Sequence, residues 1–201
     1  MAECIKCGAY TKFNGGLCKE CYYDKVNNTI SEDFDESYGL SKKEYDWSKG
    51  MIKGRIAETL IQELFLTLGY NVFRYGMENT IPGIMELLKG SHSEVALQIR
   101  KMPDFVIQNP HTKEFYFVEV KFRTSEKFNF KDLDKNYPYE NVYIVLVSKK
   151  HIKCITIAEL KQGKEITPDS QNYLGNRKEF ELNKEVIIDF CEFAVQFFEN
   201  V

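Results

Sequence analysis

Pro103-Asp104-Phe105-Val106-Ile107-Gln108, then Asn109-Pro110-His111-Thr112-Lys113, then Phe117-Val118-Glu119-Val120-Lys121 is the stretch whose reading decides the fold. The middle group is dense in turn formers, so the apolar runs on either side are expected to pair as an antiparallel hairpin, with strands near 104–108 and 114–121. Side chains alternate faces along a strand. Glu119 and Lys121 therefore project from one face and Val118 and Val120 from the other. The valines face a core, and the acid and the amine share what is expected to be an open face. If the hairpin sets Asp104 beside them, three ionisable groups meet in one small volume.

Outward from the hairpin, Ile56, Leu60, Ile61, Leu64, Phe65 and Leu68 recur at close to helical period, predicting a helix over 54–68 that Gly69 ends. Residues 70–75 read as a strand. Residues 76–93 read as an insertion, with a short helix over Ile84–Leu88 after Pro82, and Val95–Ile99 as an extended lead into the hairpin. Beyond it come a short helix near 129–136 stopped by Pro138, then Val142–Val147. That unbroken apolar run suits a strand buried on both faces. A strand at Ile152–Ile155, a short helix near 157–162 and a terminal helix from Lys184 to Glu199 complete the order. The expectation is an α/β protein, a mixed sheet flanked by helices.

The first 28 residues differ in kind. Cys4-Ile5-Lys6-Cys7 and Cys18-Lys19-Glu20-Cys21 are two Cys-x-x-Cys pairs ten residues apart. Two residues between thiolates let both sulfurs reach one ion at about 2.3 Å, and two such pairs complete a tetrahedron. Gly8 relaxes the first knuckle, Gly15-Gly16 lie between the pairs, and a short helix is expected to open toward Tyr22-Tyr23-Asp24-Lys25. A segment this small has almost no core, so structural zinc, worth roughly 10–16 kcal/mol, would have to fold it. Four thiolates also suit an iron–sulfur cluster; two matched pairs argue against a redox dithiol. The domain expectation is a zinc module over 1–28, an acidic linker over 29–48 and the main domain over 49–201. Cys154 and Cys191 stand alone in apolar surroundings and read as buried small residues.

The chain has 201 residues, 43% of them hydrophobic, and a net charge of −3, so bulk basicity does not mark it as a nucleic-acid binder. The charge is uneven, however. Residues 119–153 carry eight Lys or Arg against five acids, while 31–46 carry six acids against two lysines. No apolar run reaches the ~18 residues of a membrane span. Met1-Ala2-Glu3-Cys4 lacks a signal pattern, and the cysteine usage points to a reducing, cytoplasmic setting. No phosphate-cradling Gly-Lys-Ser/Thr loop is present, which excludes a nucleoside-triphosphate motor. The three histidines sit singly in polar contexts.

Pro103-Asp104, fourteen residues, then Glu119-Val120-Lys121, preceded by Gly50-x-x-x-Gly54-Arg55-x-Ala57-Glu58 on a helix, resembles the PD-(D/E)xK nuclease superfamily. That superfamily includes restriction endonucleases and archaeal-type Holliday-junction resolvases. The resemblance covers residues 50–148, and the cysteine segment resembles zinc-ribbon modules. It implies a metal-dependent DNA endonuclease with Asp104 and Glu119 as ligands to Mg²⁺ or Mn²⁺ and the Val120 carbonyl as a third oxygen. Lys121 would position the attacking water and stabilise charge on the phosphate, and Glu58 would assist the metal. Arg55, Arg123, Lys127, Lys131 and Lys135 are candidate phosphate contacts, and Tyr137 and Tyr139 candidate stacking platforms. Resolving a branched junction would further require two sites on one DNA, hence a homodimer. The other class of reading is a non-catalytic nucleic-acid-binding or assembly subunit that keeps the fold.

Overall fold

The computed structural model describes residues 2–7, 9–11, 16–22, 39–76 and 83–199. Gly8, Gly15, Tyr23–Lys25, residues 29–38 of the expected linker and residues 77–82, Pro82 among them, lie outside these. The chain divides into two compact units, Met1–Lys49 and Gly50–Val201. Among the described residues, no helix is long and apolar enough to cross a membrane.

In the first unit, β1 (Ala2–Glu3) pairs antiparallel with β2 (Tyr10–Thr11). The Cys4 amide donates to the Ala9 carbonyl at 2.8 Å and the Ile5 amide to Gly16 at 2.6 Å, which folds the first knuckle back on itself.

Helix α1 spans Lys42–Thr67, so it starts well before the predicted residue 54. The reason is local. Ser41 and Glu44 form a reciprocal cap, in which the Ser41 amide donates to the Glu44 carboxylate at 2.9 Å and the Glu44 amide to the Ser41 hydroxyl at 3.3 Å. The helix ends as predicted. Gly69 has φ +83, a left-handed conformation that costs glycine little, and the Tyr70 amide returns to the Phe65 carbonyl at 2.9 Å.

The second unit is built on a five-stranded sheet in the order β3-β4-β5-β6-β7. Its strands are β3 (Asn71–Arg74), β4 (Phe105–Gln108), β5 (Phe115–Phe122), β6 (Val142–Val147) and β7 (Ile152–Thr156). All neighbours are antiparallel except β5 and β6. A parallel pair needs a long crossover, and residues 123–141 supply it. The expected helix at 129–136 shrinks there to a single 3₁₀ turn, Phe130–Asp132, capped by Asn129.

Short helix α2 (Ile84–Leu87) lies where expected, whereas Val95–Ile99 does not extend into the hairpin. It belongs to helix α3 (Glu94–Arg100), started by the Ser93 hydroxyl accepting from the Ala96 amide at 3.2 Å. The remaining helices are α4 (Ile157–Lys161) and α5 (Lys184–Phe198).

Both sheet faces are covered. On one, Val118, Val120, Val145 and Val147 pack with Ala57, Leu60, Ile61, Leu64 and Phe65 of α1 and Ile187, Phe190, Ala194 and Phe198 of α5. On the other, Val142, Ile144 and Leu146 pack with Phe128, Ile157, Leu160 and Ile166, with Leu133, Tyr137 and Tyr139 at the margin. Strand β6 thus gives alternate residues to two cores, which is why its sequence is apolar throughout.

Candidate active site

The hairpin register pairs Phe105 with Val118. One step further, Asp104 stands opposite Glu119, on the same face as its neighbour across the ladder. This step is also where β4 ends. From Glu119 to Phe122, β5 is paired on its β6 edge and has lost its β4 partner. The Asp104 carboxylate fills the gap, accepting from the Val120 amide at 2.7 Å. The N–H and C=O of one strand residue leave by the same edge, so the Val120 carbonyl points toward the same fork. The Asp104 main chain is held in turn by the Tyr75 amide, which donates to its carbonyl at 2.9 Å.

Lys121 donates to the Glu119 carboxylate at 2.5 Å. Burial alone would lower the Lys121 pKa; the charges of Glu119 and Asp104 more than reverse this and hold the ammonium above its usual range. Asp104 goes the other way. Burial first, then the negative charges of Glu119 and Glu58, push its carboxyl from 3.8 up to about 8, against the Val120 hydrogen bond and Lys121. Glu58, half-buried on α1, therefore lies within electrostatic reach of Asp104.

The face expected to be open is covered. Glu119 is only 9% exposed, because the crossover after β5 folds back along this face. The exposed cations are elsewhere in the chain order: Arg55 on α1, Arg123 just past β5, and Lys127, Lys131 and Lys135 on the crossover are all at the surface. Tyr139 packs on Phe117 with ring centroids 5.8 Å apart, and Tyr137 on Tyr139 at 5.9 Å, so both rings are engaged within the protein.

Two surface clefts, each of about 430 Å³, have other linings. One includes Glu159 and Arg177, the other His151, Tyr173 and Cys191, and neither includes Asp104, Glu119 or Lys121.

His151, which reads as isolated in the sequence, belongs to a buried polar network. Glu126, 7% exposed, meets the His151 ring at 3.0 Å, the Lys153 ammonium at 3.5 Å and the Ser148 hydroxyl at 2.9 Å. Lys153 is itself 1% exposed and also donates to the Thr167 and Pro168 carbonyls. Burial would raise the Glu126 pKa, and these partners together hold it below the usual range. The Ser148 hydroxyl is turned to Glu126 rather than to the imidazole, so the group pins the β6–β7 turn and is not a nucleophile relay. Nothing in the local sequence around Glu126 announces it, since its partners come from a different turn.

At the N-terminus the sulfurs of Cys4, Cys7, Cys18 and Cys21 all lie within 4.8 Å of one another. Cys7 and Cys18 are 3.7 Å apart, close to the about 3.8 Å that four sulfurs at 2.3 Å around one tetrahedral ion require. Amide hydrogens, that of Cys18 foremost, hold the Cys4 thiol down to about 6 against its burial. The residues present fit a structural zinc ion. Of the two lone cysteines, Cys154 is fully buried and Cys191 partly so.

No family model and no curated protein matches the chain. Among solved structures it is similar to Hjc of Archaeoglobus fulgidus, a Holliday junction resolvase from an archaeal hyperthermophile. The likeness covers 59% of this chain and 88% of that one at 17% identity, with a TM-score of 0.34. At that score the shared superposable structure is too slight to transfer the resolvase's activity. The mixed sheet with helices on both faces stands on its own strand order.

Proposed function

We propose that the second unit is a divalent-metal-dependent endonuclease acting on DNA, and that residues 1–28 form a zinc module that helps place it. The observation that carries this reading is the fork of β4 and β5. There an acid whose carboxyl is pushed up by burial and by two other acids, a second buried acid and a lysine converge beside a main-chain carbonyl at the edge where β5 has lost its β4 partner. Three acids gathered at that cost to one another suit a group that only a cation completes.

Mg²⁺ needs one or two carboxylates and otherwise keeps water and phosphate oxygens, which fits Asp104, Glu119 and the Val120 carbonyl as its protein ligands. When bound, it supplies Lewis acidity, making the attacking water more acidic and offsetting charge on the scissile phosphate. Asp104 would hold the ion as a carboxylate, its proton passing to solvent. With Glu119 held by a cation, the Lys121 ammonium that now pairs with it would be available to the water and the phosphate. Glu58 adds negative charge from the helix side and favours the cation. Arg55, Arg123, Lys127 and Lys131 contact backbone phosphates, a mode that carries affinity without sequence reading. Within this reading junction resolution competes with restriction-like or repair cleavage, and resolution would require a homodimer.

The test is a panel of linear, nicked, single-stranded and four-way-junction DNA with Mg²⁺ or Mn²⁺. Wild type should leave 5′-phosphate ends. Lys121→Ala should lower the rate about 10²–10³-fold, the scale for removing one charge-stabilising donor. Cleavage that proceeds equally in Lys121→Ala and Glu119→Ala, or on no substrate at all, defeats the proposal.

A further inference from the structure

On the sheet face that carries Asp104, Glu119 and Lys121, the cover stops short of the hairpin turn. The core under the crossover reaches as far as Phe117, which lies at its margin with Tyr75 at 5.4 Å and Tyr139 at 5.8 Å. The register sets Phe73 opposite Val106 and Val106 opposite Phe117. In the next row Asn71 stands opposite Gln108 and Gln108 opposite Phe115. Residues directly opposite one another share a face, so these six make one surface; the Asn71 carboxamide donates to that of Gln108 at 3.1 Å along it. Phe73 is 52% exposed and Phe115 62%, with Val106 and Gln108 half-buried between them. Neighbouring exposed aromatic rings of this kind mark a binding surface more often than a lone exposed residue does.

We infer that this face is a stacking platform, on which Phe73 and Phe115 hold unpaired bases of the DNA strand that enters the β4–β5 fork. The choice of DNA rests on the proposed reading of the fork. Three observations select this occupant. The first is size: three strands by four residues is roughly 14 Å by 14 Å, about 200 Å². A stable protein partner, a second copy included, needs about 800 Å² on each side, whereas a base needs only one ring. The second is chemistry. The six side chains carry no charge, while Lys113 stands in the turn beside Phe115 and Lys121 at the fork, a cation at either end. Flat apolar groups strung on an anionic backbone match that arrangement, and aromatic rings on a sheet take the bases of single strands in this way. The third is continuity. Phe117 and Phe115 precede Glu119 by two and four residues on one strand face, about 7 and 14 Å. At about 3.4 Å per stacked nucleotide that is about two and four nucleotides from the fork.

The experiment is an anisotropy titration of labelled oligothymidine, and of a blunt duplex, with zinc-loaded full-length protein in Mg²⁺-free buffer, where binding is read without cleavage. The proteins are wild type, Phe73→Ala, Phe115→Ala, Phe115→Leu, Phe115→Trp and, as a control on the exposed side of α5, Phe193→Ala, each also run in sedimentation velocity. Phe73→Ala and Phe115→Ala should each weaken oligothymidine binding about 5–150-fold, the scale for one stacked base, and change duplex binding less than twofold. Phe193→Ala should bind as wild type does. Phe115→Trp should keep the affinity and Phe115→Leu lose it, because leucine keeps the apolar surface but not the ring. Oligothymidine affinities within twofold of wild type in both alanine variants overturn the inference; Lys121-dependent cleavage in the same preparations leaves the reading of the fork standing. Ring-dependent binding with no cleavage of any substrate supports the platform and defeats that reading. Phe115→Leu binding as tightly as wild type overturns the inference, since any apolar contact would then serve. A wild-type dimer that Phe73→Ala or Phe115→Ala dissociates makes the face a contact between copies and also overturns it.

Discussion

Asp104→Asn should make the metal-free protein more stable and the metal-loaded protein less so. The asparagine keeps the oxygen that accepts from Val120 and removes only the ability to ionise. In the folded chain the carboxyl titrates at about 8 instead of 3.8, because it is buried beside Glu119 and Glu58. An acid raised on folding favours the protonated form in the native state. Native stability is therefore greatest below the unfolded pKa and falls as pH rises from about 4 to about 8. At 1.36 kcal/mol per pKa unit this reaches as much as about 4 kcal/mol at pH 7, and relaxation and water entry reduce what is realised to roughly 1–3 kcal/mol. Asp104→Asn escapes that loss. In Mg²⁺-free buffer without chelator, which would strip zinc, the variant should exceed wild type in urea melts by about 1–3 kcal/mol at pH 8 and match it near pH 4. With Mg²⁺ at a hundred times its dissociation constant, wild type alone should gain about 2.7 kcal/mol. A variant less stable than wild type at pH 8 without metal, or one that Mg²⁺ stabilises as fully as wild type, would refute the reasoning.

The same raised carboxyl makes cation uptake pH-dependent. Between pH 6 and 8, Mg²⁺ affinity should rise about tenfold per unit and level off above 8, with close to one proton released per ion at pH 7, read from titrations in buffers of different ionisation enthalpy. Cys7→Ser should abolish binding of one zinc per chain and remove the amide protection of β1 and β2, as hydrogen exchange with metal analysis would show. Lys153→Ala leaves Glu126 buried without its ammonium and should cost about 3–5 kcal/mol in denaturant melts, without changing Mg²⁺ uptake. Tyr70→Phe deletes a buried hydroxyl that donates to the Phe180 carbonyl and accepts from Asn109 at 3.3 Å; the expected loss is about 1–2 kcal/mol by the same melts.

Where a residue's neighbours in sequence decide its surroundings, the fold was legible. Val142–Val147 reads as a strand buried on both faces and lies between two cores. The turn at 109–113 closes the hairpin: the Asn109 carboxamide accepts from the His111 and Thr112 amides. The start of α1 was also written in the chain, as Ser41-Lys42-Lys43-Glu44, but the acidic run before it reads as linker. Val95, Leu97 and Ile99 alternate as a strand would, yet the Ser93 cap turns them into α3, with Val95 left 63% exposed. The alternation of Glu119 and Lys121 against Val118 and Val120 was readable, and so was their meeting with Asp104 across the hairpin. Their burial was not. It depends on residues 123–141 folding back over β5, a contact between segments that no local pattern encodes. Tyr137 illustrates the same limit: a tyrosine beside a proline reads as packing or stacking, and only its neighbours in space show, among the described residues, a buried hydroxyl with no hydrogen-bond partner.

Anomalous diffraction from crystals grown with Mn²⁺ tests the central claim most directly. An ion is expected at the β4–β5 fork, ligated by the Asp104 and Glu119 carboxylates and the Val120 carbonyl, with the Lys121 ammonium withdrawn from Glu119. Strong manganese peaks elsewhere on the protein, with Lys121 still paired to Glu119 and no ion at the fork, would contradict it.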